Sequence, residues 1–191
     1  MEGLQTYLRG YFDEITGDDL SSLASFFKEE KVLKGEYLVQ EGKMVGTLSF
    51  IRSGYMRIYA AVDGKEVTQW IAGPGSFITE LGSLVFQKRS RFSIQALEDC
   101  CTYSLKSADY YRLGAHISAW PHLEKMLIAK CFVYMEDRIF MHLSMSAEER
   151  FHWYYENNKA LFNRVPLQYL ASLLGMTPET LSRFRRKLIL H

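Results

Sequence analysis

The sequence predicts an α+β chain in three parts: a small antiparallel β-roll preceded by short helices, one long helix, and a C-terminal helical hairpin. Three observations carry this reading. Residues 31–105 alternate short β-type runs with turn dipeptides. Residues 121–143 repeat apolar side chains at three-to-four spacing on two faces. The last 26 residues place helix, glycine, cap and helix in close succession. The expected parts are therefore residues 1–107, 108–143 and 144–191 of the 191.

Helical periodicity opens the chain. Leu4, Leu8, Tyr11 and Phe12 form one apolar stripe, and Leu20, Leu23, Phe26 and Phe27 form another after an Asp18-Asp19 start. The candidate strands follow: Val32-Leu33, Tyr37–Val39, Leu48–Ile51, Tyr55–Tyr59, Val67–Ile71, Phe92–Ile94 and Thr102–Leu105. Lys34-Gly35, Glu41-Gly42, Ser53-Gly54, Asp63-Gly64 and Gly73-Pro74-Gly75 punctuate them. Asp-Gly between two such runs predicts a hairpin, because a type I′ turn needs positive φ at both central residues. Many short strands at close spacing point to a sandwich or a closed roll.

The long helix begins near Pro121. Ile128, Phe132, Met135, Ile139 and Leu143 line one face; Leu123, Leu127, Cys131 and Tyr134 line a second. Two apolar faces need two partners. The second partner is either another part of the same chain or a second copy, and a small β domain has little surface to cover both. Ser146 with Glu149 three residues later then forms a capping box for another helix.

Composition narrows the function. At 48% hydrophobic and 24% charged, the chain is globular rather than disordered, collagen-like or disulfide-built. Three cysteines fit a reducing compartment and give neither a disulfide framework nor a zinc spacing. With no apolar run of membrane length and no secretory leader pattern, the expected location is the cytoplasm, with no membrane partner. The net charge of +1 hides an asymmetry. Residues 150–191 carry seven Lys/Arg against two acids, whereas residues 1–149 carry 16 against 20. A basic end on an acidic body suits a polyanion, or else is a solvated basic helix.

The C-terminal stretch PLQYLASLLGMTPETLSRFRRKLILH decides between these. Leu167, Leu170, Ala171 and Leu174 face inward on the first helix, and Gly175 stands where a helix ends in a left-handed turn. Thr177 is placed as N-cap, Pro178 at the first helical position, and Leu181, Phe184 and Leu188 face inward on the second helix. This is a helix-turn-helix. In a major groove Arg183 would pair with guanine, Glu179 would accept from a cytosine amino group and Ser182 would bond to either. Thr177, Thr180, Arg185, Arg186 and Lys187 are placed as phosphate contacts, which position without specifying. The partner is then double-stranded DNA.

TPETLSRFRRKL, with LASLLGM before it, resembles the recognition motif of the Crp/Fnr family of bacterial transcription regulators. The segment Phe77–Gly82 after Gly73-Pro74-Gly75, and Ser90–Ala96 with Cys100 beyond, resemble the cyclic-nucleotide-binding jelly roll. The order of roll, long helix and helix-turn-helix is also the family's. The resemblance implies a non-enzymatic transcription regulator and a homodimer joined along helix 108–143. It implies base reading by Glu179, Ser182 and Arg183, and leaves RNA polymerase as a further partner. Only Leu188–His191 follow the recognition helix, so the wing usual in the family is reduced.

The effector site departs from the family's pattern. Cyclic-AMP-binding members use Gly-Glu for the ribose and Arg-Ser for the phosphate. Here Thr79 precedes Glu80, and Arg89-Ser90 stands one residue out of place when the strand is aligned on Ala96; in the other register Ser90-Arg91 is reversed. Glu80, Arg89, Ser90 and Arg91 are the candidate effector residues, for a small anion bearing a hydroxyl. A relic roll with Glu80 paired to Arg91 is the alternative. Three cysteines disfavour an iron–sulfur cluster, and no haem ligand stands out. No metal is expected: a cupin-type enzyme would need histidines in the roll, yet all five (His116, His122, His142, His152 and His191) lie outside residues 31–105. A nucleotide-binding module without a DNA role is the remaining reading, and the C-terminal motif argues against it.

Overall fold

The computed structural model describes residues 2–12, 15–44 and 46–189. Helices α1 (Glu2–Tyr11) and α2 (Gly17–Phe26) come first, and α2 starts from Thr16, whose side chain accepts from the Asp19 amide. The strands are β1 (Lys28–Val32), β2 (Tyr37–Val39), β3 (Thr47–Ser53), β4 (Met56–Val62), β5 (Lys65–Ala72), β6 (Phe77–Ile78), β7 (Ser93–Ala96) and β8 (Cys100–Lys106). Two antiparallel sheets, ordered β1-β8-β3-β6 and β2-β7-β4-β5, form the roll. Val39, Ile51, Met56, Ile78 and Ile94 fill its interior.

The Asp63-Gly64 hairpin forms as expected: φ is 50° and 76° at the two residues, and Val62 pairs with Lys65. Two elements within the roll depart from the expected strands. Phe77-Ile78 pairs with Phe50 and Ser49 as β6, and a short helix α3 (Leu81–Phe86) follows it. Both are shorter than any periodic signal can reveal. Phe77 also packs its ring on Tyr11 and Phe50, which fixes α1 on the outside of the first sheet.

The interval 108–143 is not a single helix. It contains α4 (Ser107–Tyr110) and α5 (Leu113–His116) before the long helix α6 (Trp120–Ser144) begins with Pro121 in its first turn. Leu123 and Leu127 are buried against α1, α2 and the roll. Helix α7 (Ala147–Asn157) starts from the Ser146/Glu149 capping box, with both reciprocal bonds made. Then come α8 (Lys159–Arg164), α9 (Leu167–Leu173) and α10 (Pro178–Ile189). The core of this last unit, Phe151, Phe162, Leu170, Leu181 and Phe184 among others, is continuous with Tyr55, Ile71 and Leu97 of the roll. Among the described residues no helix is long and apolar enough to cross a membrane, and no group of His, Cys, Asp and Glu could hold a metal.

Candidate nucleic-acid interface and effector cleft

The turn between α9 and α10 is fixed by backbone chemistry. Gly175 takes φ +66°; its amide donates to Ser172 O (3.2 Å), and the next amide, Met176, donates to Ala171 O (3.0 Å). This pair of bonds is a Schellman motif, which satisfies carbonyls that the end of α9 would leave open. The Thr180 amide then donates to Thr177 Oγ1 at 3.2 Å, so Thr177 caps α10 from outside while Pro178 occupies its first turn. Leu181 and Phe184 are buried, and Ala171 is buried where the helices cross.

The outward face carries the predicted readers. Glu179 and Arg183 are exposed and Ser182 is half-buried, all on the N-terminal turns of α10. Hydrogen bonds from its own amide and from Thr177 hold the Glu179 carboxyl below the usual carboxylate range, so it is an obligate acceptor at neutral pH. Thr177, Arg186 and Lys187 are exposed; Thr180 and Arg185 are half-buried. Lys187 donates to Glu148 of α7 at 2.9 Å. Both partners of that ion pair are about half exposed, so it is weak and a phosphate can displace it. The Arg183 guanidinium carbon lies 5.5 Å from the centroid of the Phe184 ring.

Two arginines and a histidine reach the C-terminal end of α9, where its last carbonyls concentrate negative potential. Arg138 of α6 donates to Leu173 O at 3.0 Å, and Arg150 of α7 donates to Leu174 O at 3.1 Å and Met145 O at 2.7 Å. His142 of α6 stands at the same end, where a Cβ on Gly175 would lie 3.4 Å from its ring. Burial first, then Arg138 and Arg150, lower the His142 pKa from 6.5. None of these three was foreseen as a site residue. Each meets its partner at the end of α9 only through the tertiary fold, which no local pattern reports.

A cleft of about 1060 Å³ opens between the roll, α6 and the C-terminal unit. Of the four candidate effector residues, Glu80 and Arg91 line it. Glu80 is buried and N-caps α3, accepting from the Ser83 amide at 2.6 Å and the Gly82 amide at 3.3 Å. Arg91 is exposed on the rim, its guanidinium 5.2 Å over Phe92. Arg89 points elsewhere and donates to Gly42 O at 2.9 Å. Ser90 is buried and donates to Phe92 O at 2.6 Å. The Thr79 hydroxyl also borders the cleft, buried and without a hydrogen-bond partner. The arginine and serine that would cradle a cyclic phosphate are thus held by backbone carbonyls, and Glu80 serves as a cap. This arrangement does not fit the cyclic-AMP pattern.

Comparison with known proteins bears on both halves. Residues 29–116 match the cyclic nucleotide-binding domain family. FixK2 of Bradyrhizobium japonicum superposes with a TM-score of 0.73 at 20% identity, over 86% of this chain and 85% of that one. The c-di-GMP-responsive global regulator CLP of Xanthomonas campestris gives 0.70 at 17% identity, over 92% of each. The fold is that of the Crp/Fnr regulators. The catabolite activator protein of Thermus thermophilus is similar over 94% of this chain and 86% of its own, with a TM-score of 0.58 and 23% identity. No curated protein sequence matches the chain significantly. The full-length likeness supports the expected order of β-roll, long helix and C-terminal helical unit.

Proposed function

We propose that this chain is a sequence-specific DNA-binding transcription regulator, cytoplasmic and homodimeric, with the β-roll as its effector domain. One observation carries the reading. A Schellman turn and an N-capped, proline-started α10 present Glu179, Ser182 and Arg183 on one open edge. Arg183 supplies the fork that guanine N7 and O6 accept, Glu179 accepts from cytosine, and Ser182 bonds to either base. Thr177, Thr180, Arg185, Arg186 and Lys187 sit around them as phosphate contacts. The similar structures named as an activator and a global regulator support the same class, with RNA polymerase the partner through which a regulator of this class acts.

The dimer reading rests on α6. Its face bearing Phe132 (63% exposed), Ile139 (55%) and Leu143 (81%) touches nothing in its own chain that buries it. So long an apolar stripe matches a second copy of the same helix. The cleft is the place for an effector. Its carboxylate, rim arginine and orphaned Thr79 hydroxyl suit a small polar molecule other than a cyclic nucleotide held by the usual cradle.

Base reading and phosphate contact separate in one experiment. Arg183→Ala should cost about 1–3 kcal/mol on the preferred duplex and flatten sequence preference at one position of each half-site. Lys187→Ala should weaken binding by a similar factor on every sequence. Competition binding with single-position duplex variants reads both. Retained preference in Arg183→Ala would mean that another side chain occupies the reading position.

A further inference from the structure

Arg57 is the most deeply buried cation in the described part of the chain, with 1% of its side chain exposed. It stands on β4, in the sheet that α9 covers. Its guanidinium carbon lies 3.9 Å from the ring centroid of Tyr59, on the same strand, and 3.8 Å from that of Tyr169 on α9. Both rings lie within cation–π distance of the one guanidinium, so Arg57 bridges the roll and the helix-turn-helix unit. Its edge is only partly satisfied. Nη2 donates to Glu66 (2.6 Å) and Gln95 (3.1 Å), while Nε and Nη1 are buried without a partner. A cation so short of acceptors depends on the two ring faces, and one of them belongs to α9.

The surrounding contacts tie the same two parts. In the β4–β5 pairing Ile58 faces Trp70 and Tyr59 faces Thr68, which leaves Gln69 as the extra residue of a bulge. The freed Gln69 carbonyl accepts from Arg138, which also holds Leu173 O. Beside it the outward amide of Thr68, on this edge strand, donates to Ser172 Oγ of α9 at 2.8 Å. The contact uses Tyr169 and Ser172 and leaves Glu179, Arg183 and Arg186 exposed on α10. An inhibitory contact would cover the reading edge. This one holds the unit from behind.

We propose that Arg57 is a positioning residue for DNA recognition: bridging Tyr59 and Tyr169, it fixes each helix-turn-helix on its own β-roll, so that the two readers of a homodimer meet two half-sites in register. The proposal rests on the DNA-binding reading above. A reader that swings on its linker still binds one half-site. It binds the full site only in the fraction of molecules where both readers are in place, and the apparent affinity falls by that fraction.

The experiment compares wild type, Arg57→Met, Arg57→Lys and Tyr169→Leu on two duplexes recovered by selection from a random pool, the full symmetric site and one isolated half-site. Hydrogen exchange across residues 65–72 reports docking independently of DNA. All three variants should lose about tenfold on the full site, hold their half-site affinity and exchange faster at Thr68. Arg57→Lys should fail to rescue, because an ammonium lacks the planar face that stacks on a ring. Equal losses on both duplexes, an unchanged full-site affinity, a gain in affinity, or unaltered exchange would each overturn the proposal. Wild-type protein that binds neither duplex would instead defeat the regulator reading itself.

Discussion

Gly175 and His142 show how much of the reading unit hangs on single residues. At φ +66° an alanine would carry left-handed strain of roughly 1–2 kcal/mol, and its Cβ would meet the His142 ring at 3.4 Å. Gly175→Ala should therefore lower the melting temperature while leaving the far-ultraviolet helix signal nearly intact. His142 gives a pH signature. Burial and the flanking Arg138 and Arg150 disfavour its charged form, against the Leu173 carbonyl, which favours it. Well above pH 6.5, its ordinary value, the ring is neutral in folded and unfolded chains and contributes no pH dependence. As pH falls below that, the unfolded chain takes the proton first, and the fold loses stability until folded His142 also titrates. Melting curves from about pH 7.5 to about pH 5 should show wild type losing more than His142→Gln. Parallel loss would mean that the ring is not held away from its proton. Gly175, Thr177 and Pro178 were legible in the sequence because a helix stop and start are written within four residues. His142, Arg138 and Arg57 were not, because each depends on a partner brought up by the tertiary fold.

Among the elements, α6 is the one whose two faces have different fates. Leu123 and Leu127 disappear against the chain's own core, while Phe132, Ile139, Phe140 and Leu143 stay exposed. Three-to-four spacing marks the two stripes in the sequence and leaves the second partner open between this chain and another. Burial now assigns the Leu123 and Leu127 end of one stripe to this chain, while Tyr134 of that stripe and the stripe from Ile128 to Leu143 face outward. Leu143→Glu should shift sedimentation from dimer to monomer, since an uncompensated charge in an apolar seam is disfavoured, without lowering the melting temperature of the roll. A species of unchanged size would remove α6 from the interface. At the head of α7, Ser146→Ala removes the hydroxyl that accepts from the Glu149 amide while leaving the bond from the Ser146 amide to the Glu149 carboxylate, and should cost about 1 kcal/mol, read by chemical denaturation. The longer strands followed from β-type runs and turn dipeptides. The two-residue β6 did not, because it exists only by pairing with β3.

At the scale of the whole molecule, charge and contact are organised around one seam. Seven of the chain's 23 Lys/Arg lie in residues 150–191, four of them on α10. The C-terminal unit is not tethered loosely: its apolar core runs into Tyr55, Ile71 and Leu97, and Arg164 pairs with Glu98 across the junction at 2.6 Å. A basic C-terminal unit packed on an acidic body suits binding to a polyanion. The cleft borders the same seam, since Trp70 and Ile71 of β5 and Arg138 of α6 line it. A ligand there would bear directly on the contacts that hold the reader.

Selection of bound duplexes from a random DNA pool, sequenced to convergence, tests the central claim most directly. A homodimeric reader predicts a two-fold symmetric motif whose half-sites lie about one helical turn, roughly 34–36 Å, apart. Affinity for it should fall linearly in log–log form with salt. No enrichment, or an unpaired asymmetric motif, would contradict the account.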